Sequence, residues 1–207
     1  MSSRTPQAIG KSLSSLIWPM PTQDFLTKHW QQNYFVTHGN QDRLRWICRE
    51  LGPINLSSLI QYAFPNPIIA WFNDVDGRHI STSVNPSSAP TLHQSGATIY
   101  FHLRLNSYLH DWHSTLLYEL GVPAGHISLF ACKKANGTRL HFDANDNFTI
   151  QLSGTKTWYL KKNSSVSLPT KNWVPSTEVP TELRYYCPDA LERHVPKRTR
   201  KIIILVY

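Results

Sequence analysis

The chain has 207 residues, enough for one domain with a sizeable core and a small N-terminal appendage. Its hydrophobic fraction of 41% and its seven Trp, nine Tyr and eight Phe exclude a disordered chain and fit an aromatic-rich β fold, while fourteen Pro argue against long helices. The net charge of +8 leaves an anionic partner such as nucleic acid or the ribosome open, but Arg193, Lys197, Arg198, Arg200 and Lys201 crowd into the last fifteen residues, so much of it reads as a solvated basic loop.

Residues 1–21 are Ser- and Pro-punctuated and predicted irregular. They lack a signal peptide's apolar core, and the chain has no 18-residue apolar run, so a cytoplasmic protein without membrane contact is expected, with a transit peptide as the minor alternative. Thr22 is a plausible N-cap for a short helix carrying Phe25, Leu26 and Trp30, and 33–38 reads as a strand. Further helices are predicted over 43–51, stopped by Gly52, and over 55–62. Residues 68–73 form an apolar strand before an Asp/Gly turn at 74–77, and the Ser- and Pro-rich 81–95 reads as a loop. A strand from Gly96 is followed by a helix over 108–120, with Leu109, Trp112, Leu116 and Leu120 on one face and Gly121 as its stop. His110 and His113 with Asp111 on that helix read as a solvated face. Strands are then predicted at 127–132, around His141 and Asp143, at 148–152 and at 157–160, with a strongly apolar one at 201–207.

Helices early and closely spaced strands late predict a mainly β fold with flanking helices, namely a double-stranded β-helix (jelly roll, cupin-like). We read 1–207 as a single domain, with helical elements of 1–65 packed on a jelly-roll core of 96–207. Three scattered cysteines without a Cys-x-x-Cys pair exclude a disulfide framework, and Cys132 in a central strand reads as a small buried hydrophobe.

Chemistry concentrates in one stretch. His141 and Asp143 stand two apart in a strand pattern, so both side chains point to one face and can reach one metal ion. A second His would complete a two-His-one-carboxylate set with open positions on Fe(II). Tyr100 and His102 share one face of the strand after Gly96, and a core aromatic is one reading of Tyr100.

The run Thr138-x-x-His141-x-Asp143-x-x-x-Asn147-Phe148-x-x-Gln151-x-x-Gly154-x-Lys156-x-Trp158 resembles the JmjC-type 2-oxoglutarate oxygenases. It is most similar to their small hydroxylase branch, which includes asparaginyl and ribosomal-protein hydroxylases. A weaker likeness to the ribosomal oxygenases extends to Asp24-Phe-Leu-x-x-His-Trp and Gly96-Ala-Thr-Ile-Tyr. The resemblance implies that His141 and Asp143 bind Fe(II), that Lys156 pairs with the distal carboxylate of 2-oxoglutarate, that Thr138 hydrogen-bonds it, and that Asn147 supports the site. Tyr100 would line the co-substrate site. It further implies hydroxylation of a protein or peptide side chain. Oligomeric state is not legible.

The third metal ligand departs from the family pattern. Family members place a distal His after a Pro-Gly-Asp turn that is absent here, and the only histidine after the motif is His194, in a basic loop context. The expectation is therefore a chain lacking the C-terminal part with the distal His, which would bind iron weakly. A non-catalytic cupin-like binding domain is the alternative of a different class.

Overall fold

A computed structural model of the chain describes residues 12–38, 41–73, 79–133, 143–160, 196–197 and 205–206. The sequence-predicted residues Thr138, His141 and His194, and the turn at 74–77, lie outside the described residues.

Period-two alternation organises the sheet. Strands β1 (Ile68–Asn73), β2 (His79–Val84), β3 (Thr98–His102) and β4 (Ile127–Ala131) pair antiparallel in the order β2-β1-β3-β4. A short ribbon joins β5 (Trp158–Tyr159) to β6 (Pro196–Lys197), and β7 (Leu205–Val206) adds to the free side of β4. In β3 the odd-numbered residues Ile99 and Phe101 are fully buried, whereas Thr98, Tyr100 and His102 are half-buried. The register places Phe101 opposite Leu129 and Ile99 opposite Ala70, so Ile99, Phe101, Leu129 and Ala70 share the core face.

Helices supply the other half of that core. Among the described residues these are α1 (Leu13–Ile17), α2 (Thr22–Lys28), α3 (Arg45–Leu51), α4 (Leu56–Leu59), α5 (Ala89–Gln94) and α6 (Ser107–Leu120). The longest, α6, starts where the Asn106 side chain accepts a hydrogen bond from the Leu109 backbone N–H at 2.8 Å, and stops at Gly121 in the left-handed region, φ +68°. Its buried stripe of Leu109, Trp112, His113, Leu116 and Leu120 follows the helical period, and its apolar members join the sheet in one hydrophobic cluster. The Leu13 backbone N–H donates to Glu119 Oε2 at 2.6 Å, and Trp30 Nε1 donates to the Leu120 carbonyl at 3.2 Å, tying the N-terminal helices to the end of α6.

The antiparallel sheet with flanking helices is the coarser part of the predicted class. Several elements differ. Residues 13–17 are helical, because Leu13, Leu16 and Ile17 are buried in the shared core. The N-cap of α2 is Pro21, with Thr22 already inside the helix. The region 81–95 is not a loop: β2 pairs along its whole length with β1, and α5 begins with proline in its first turn, where the missing N–H costs nothing. Residues 33–38 and 148–152 lie outside any strand. The second segment is held by side chains instead, with Phe148 against Phe25 and Trp30 at 5.8 and 5.4 Å between ring centroids, and Ile150 buried.

Candidate functional site

The sheet face opposite the core carries the chemistry. Register puts Ile69, Tyr100 and Phe130 in one row and His102 beside Ser128 in the next; Cys132, two residues beyond Phe130, continues the same face. Trp71 stacks on Tyr100 at 5.5 Å, and Phe130 packs on Tyr100 at 4.6 Å, forming an aromatic wall. Thr98 Oγ1 donates to Cys132 Sγ at 3.6 Å across the strands.

Two charged groups from the later segment are within electrostatic reach of this face. Asp143 is half-buried, and Asn147 Nδ2 donates to its Oδ2 at 2.8 Å. Its carboxylate is felt by Tyr100: burial first, then Asp143, push the phenol above its ordinary range, against the lowering effect of a hydrogen bond from Ser128. Lys156 lies near Cys132. Burial pushes its ammonium below the usual lysine range, opposed by the Cys132 sulfur, and its Nζ sits 4.3 Å from the centre of the Trp158 ring. Among the described residues Lys156 has no carboxylate partner. Gln151 Oε1, another member of the motif, is buried without a hydrogen-bond partner among them.

The sequence reading missed a hydrogen-bonded group beside Tyr100. His102 Nδ1 lies 2.9 Å from Ser128 Oγ, Ser128 Oγ donates to Tyr100 Oη at 3.4 Å, and Tyr100 Oη is 3.3 and 3.4 Å from the two ring nitrogens of His102. The His126 ring stands edge-on to His102 with centroids 4.0 Å apart. Burial lowers the His102 pKa; for His126, burial and then His102 and His113 hold it at about 4. A polar Ser inside the apolar 127–131 was the available signal, but only strand pairing shows what it meets.

Three placements differ from expectation or exceed it. Cys132 is exposed rather than buried, because it follows the last residue of β4. His113 is buried in α6 with Nε2 lacking a partner among the described residues, whereas His110 is exposed as expected of a solvated face. Tyr100 packs as an aromatic between Trp71 and Phe130 on the face away from the core and is within electrostatic reach of Asp143. Among the described residues no group of three His, Cys, Asp or Glu side chains is arranged to hold a metal; Asn147 is hydrogen-bonded to Asp143, Asp143 acts electrostatically on Tyr100, and Lys156 is within electrostatic reach of Cys132.

Residues 107–185 match the JmjC domain family, a span that contains α6, β4, Asp143, Asn147 and Lys156. The match supports a JmjC-type, cupin-like unit. The chain is also 29% identical over 191 residues to an uncharacterized protein, YxbC, of Bacillus subtilis (strain 168). That alignment covers 88% of this chain and 56% of YxbC, so the chain spans about half the length of the curated relative it matches. Placed on the JmjC span, Asp143 and Lys156 lie inside it, while Tyr100 and His102 on β3 lie before it. Among the described residues no helix is long and apolar enough to cross a membrane.

Proposed function

We propose that this chain carries an Fe(II)- and 2-oxoglutarate-dependent hydroxylase site acting on a protein or peptide side chain. The observation that supports the reading is Lys156, a half-buried ammonium over the Trp158 ring with no carboxylate partner among the described residues, within electrostatic reach of Cys132 at the end of the face that carries Tyr100. A cation held out of water without a counter-charge is costly, and an anionic ligand offsets that cost. The donor set therefore fits a dicarboxylate co-substrate.

In this reading His141 and Asp143 hold the iron, with His194 the candidate third ligand within the chain. Asn147, donating to Asp143 Oδ2, sets the rotation of the carboxylate and thus the direction of its other oxygen. Lys156 takes the distal carboxylate of 2-oxoglutarate, with Thr138 and Tyr100 as hydrogen-bond donors. Trp71, Tyr100 and Phe130 wall the site with aromatic surface that excludes water. Iron and 2-oxoglutarate, when bound, supply oxidation by O2 with release of CO2 and succinate. The chain's net charge of +8 favours an acidic peptide, or a protein met on a nucleic-acid-rich surface such as the ribosome, as the molecule acted on. Reduced thiols and Fe(II) both suit a cytoplasmic setting.

Anaerobic titration with Fe(II) and 2-oxoglutarate tests the proposal. Chelation gives a visible charge-transfer band that disappears in Asp143→Ala. Absence of the band in the unmodified chain, together with no thermal stabilisation by 2-oxoglutarate, refutes it.

A further inference from the structure

The group of Tyr100, His102 and Ser128 has a direction. Ser128 is 7% exposed and therefore cannot satisfy its hydroxyl with bulk water; it must spend its one proton on a protein acceptor. That proton goes to Tyr100 Oη, 3.4 Å away. Ser128 Oγ then accepts from its other neighbour, His102 Nδ1 at 2.9 Å, which assigns His102 the tautomer protonated on Nδ1. The His126 ring, edge-on at 4.0 Å, restricts the rotation of His102 that would break this order. At the end of the chain of bonds, Tyr100 has received a hydrogen bond on its oxygen and still owns its O–H proton.

We infer that His102 and Ser128 are positioning residues that turn the Tyr100 hydroxyl outward as a hydrogen-bond donor to the anion held by Lys156. The inference rests on the reading of Lys156 and Tyr100 as co-substrate ligands. The row geometry supports it: Tyr100 pairs with Phe130, and Cys132, beside Lys156, is the next residue on that face, about 7 Å further along the strand. With Nδ1 protonated only Nε2, at 3.4 Å, competes for the Tyr100 proton; without Ser128 the imidazole is free to change tautomer, and Nδ1, at 3.3 Å, then takes that proton, so that the hydroxyl is lost to the ligand. The relay favours one of these two orientations before the ligand arrives, which reduces the ordering cost of binding.

The test is a double-mutant cycle on 2-oxoglutarate binding to the full chain loaded with Mn(II), read by calorimetry, with thermal melting as the check on folding. Ser128→Ala weakens binding about five- to tenfold, the loss expected of one hydrogen bond, and Ser128→Thr, which keeps the hydroxyl, restores it. In a Tyr100→Phe background Ser128→Ala has no further effect, because there is no hydroxyl left to orient. The same loss in both backgrounds, or no loss in either, overturns the inference. In parallel, 15N NMR of the His102 ring in the metal-free chain shows the Nδ1-protonated tautomer in the unmodified protein and its redistribution in Ser128→Ala; the Nε2 tautomer in the unmodified protein overturns the relay. If the unmodified chain binds no 2-oxoglutarate, the co-substrate reading falls and takes the ligand role of the relay with it. The tautomer then decides whether the relay itself exists.

Discussion

Replacing Lys156 by Met separates a ligand-binding lysine from a structural one, because the two roles predict opposite effects on the free protein. The ammonium is half-buried, is pushed below the normal lysine range by that burial, and lies 4.3 Å from the centre of the Trp158 ring with no carboxylate partner among the described residues. Methionine keeps the stem's packing and removes the desolvated charge. The free protein should thus be unchanged or slightly more stable, by up to about 1 kcal/mol, or about 2–4 °C in Tm for a chain of this size. Binding of 2-oxoglutarate should fall by about 1.5–3 kcal/mol, the worth of a charge-assisted hydrogen bond, which is about 10- to 150-fold. Linkage gives a second signature. The folded lysine pKa lies below its unfolded value, so the unfolded chain holds more protons between the two, and native stability rises with pH as that alkaline window is crossed. A bound carboxylate raises the folded pKa and removes this rise. Differential scanning calorimetry across alkaline pH, with and without 2-oxoglutarate, reads both effects. A Lys156→Met protein whose free form loses several degrees while its ligand affinity is intact would refute the reasoning.

Other parts of the structure give further expectations. Trp112 is 1% exposed and packs edge-on against Trp46 at 5.1 Å, so Trp112→Ala should cost about 3–5 kcal/mol by chemical denaturation; its Nε1 has no partner among the described residues, so Trp112→Phe should cost much less, and equal losses would contradict this account. Asn106→Ala removes the N-cap of α6 and should lower stability by about 1 kcal/mol, with Asn106→Asp retaining most of it. His126, held at about 4, stays neutral in the folded chain while the unfolded chain protonates near 6.5; stability should therefore decline as pH falls from 6.5 towards 4, by an amount reduced by the ring's contact with water. Urea midpoints across that range should be flatter in His126→Gln, and identical slopes would remove His126 from the acid response.

The elements legible in the sequence are those whose stability is decided locally or by their own apolar face. Helix α6 announces its body by its apolar spacing and its end by Gly121, at positive φ, while its Asn106 cap went unread; β1 is apolar up to its last residue, Asn73. Strand β2 could not be read in this way. Its described residues Ile80, Ser81, Thr82 and Ser83 are all exposed, so no alternation marks it, and what makes it a strand is pairing with β1 from Ile68↔Val84 to Asn73↔His79. Residues 148–152 fail in the opposite sense: their apolar side chains look like a strand, but Ile150 is buried and Phe148 half-buried without one, Phe148 against Phe25 of α2 and Trp30 just beyond it. The same division runs through the site. Asp143, Asn147 and Lys156 are close in sequence, so a motif can carry them, and the Asn147 to Asp143 hydrogen bond spans only four residues. Ser128 and His102 are 26 residues apart and meet only because β3 and β4 pair in one register; a shift by one residue would turn Ser128 to the core face and leave Tyr100 without its donor. In the proposed site the charge would thus come from a local segment and the orientation of Tyr100 from strand register, and a variant that loosens β3–β4 pairing should impair 2-oxoglutarate binding, read by calorimetry, before it unfolds the chain.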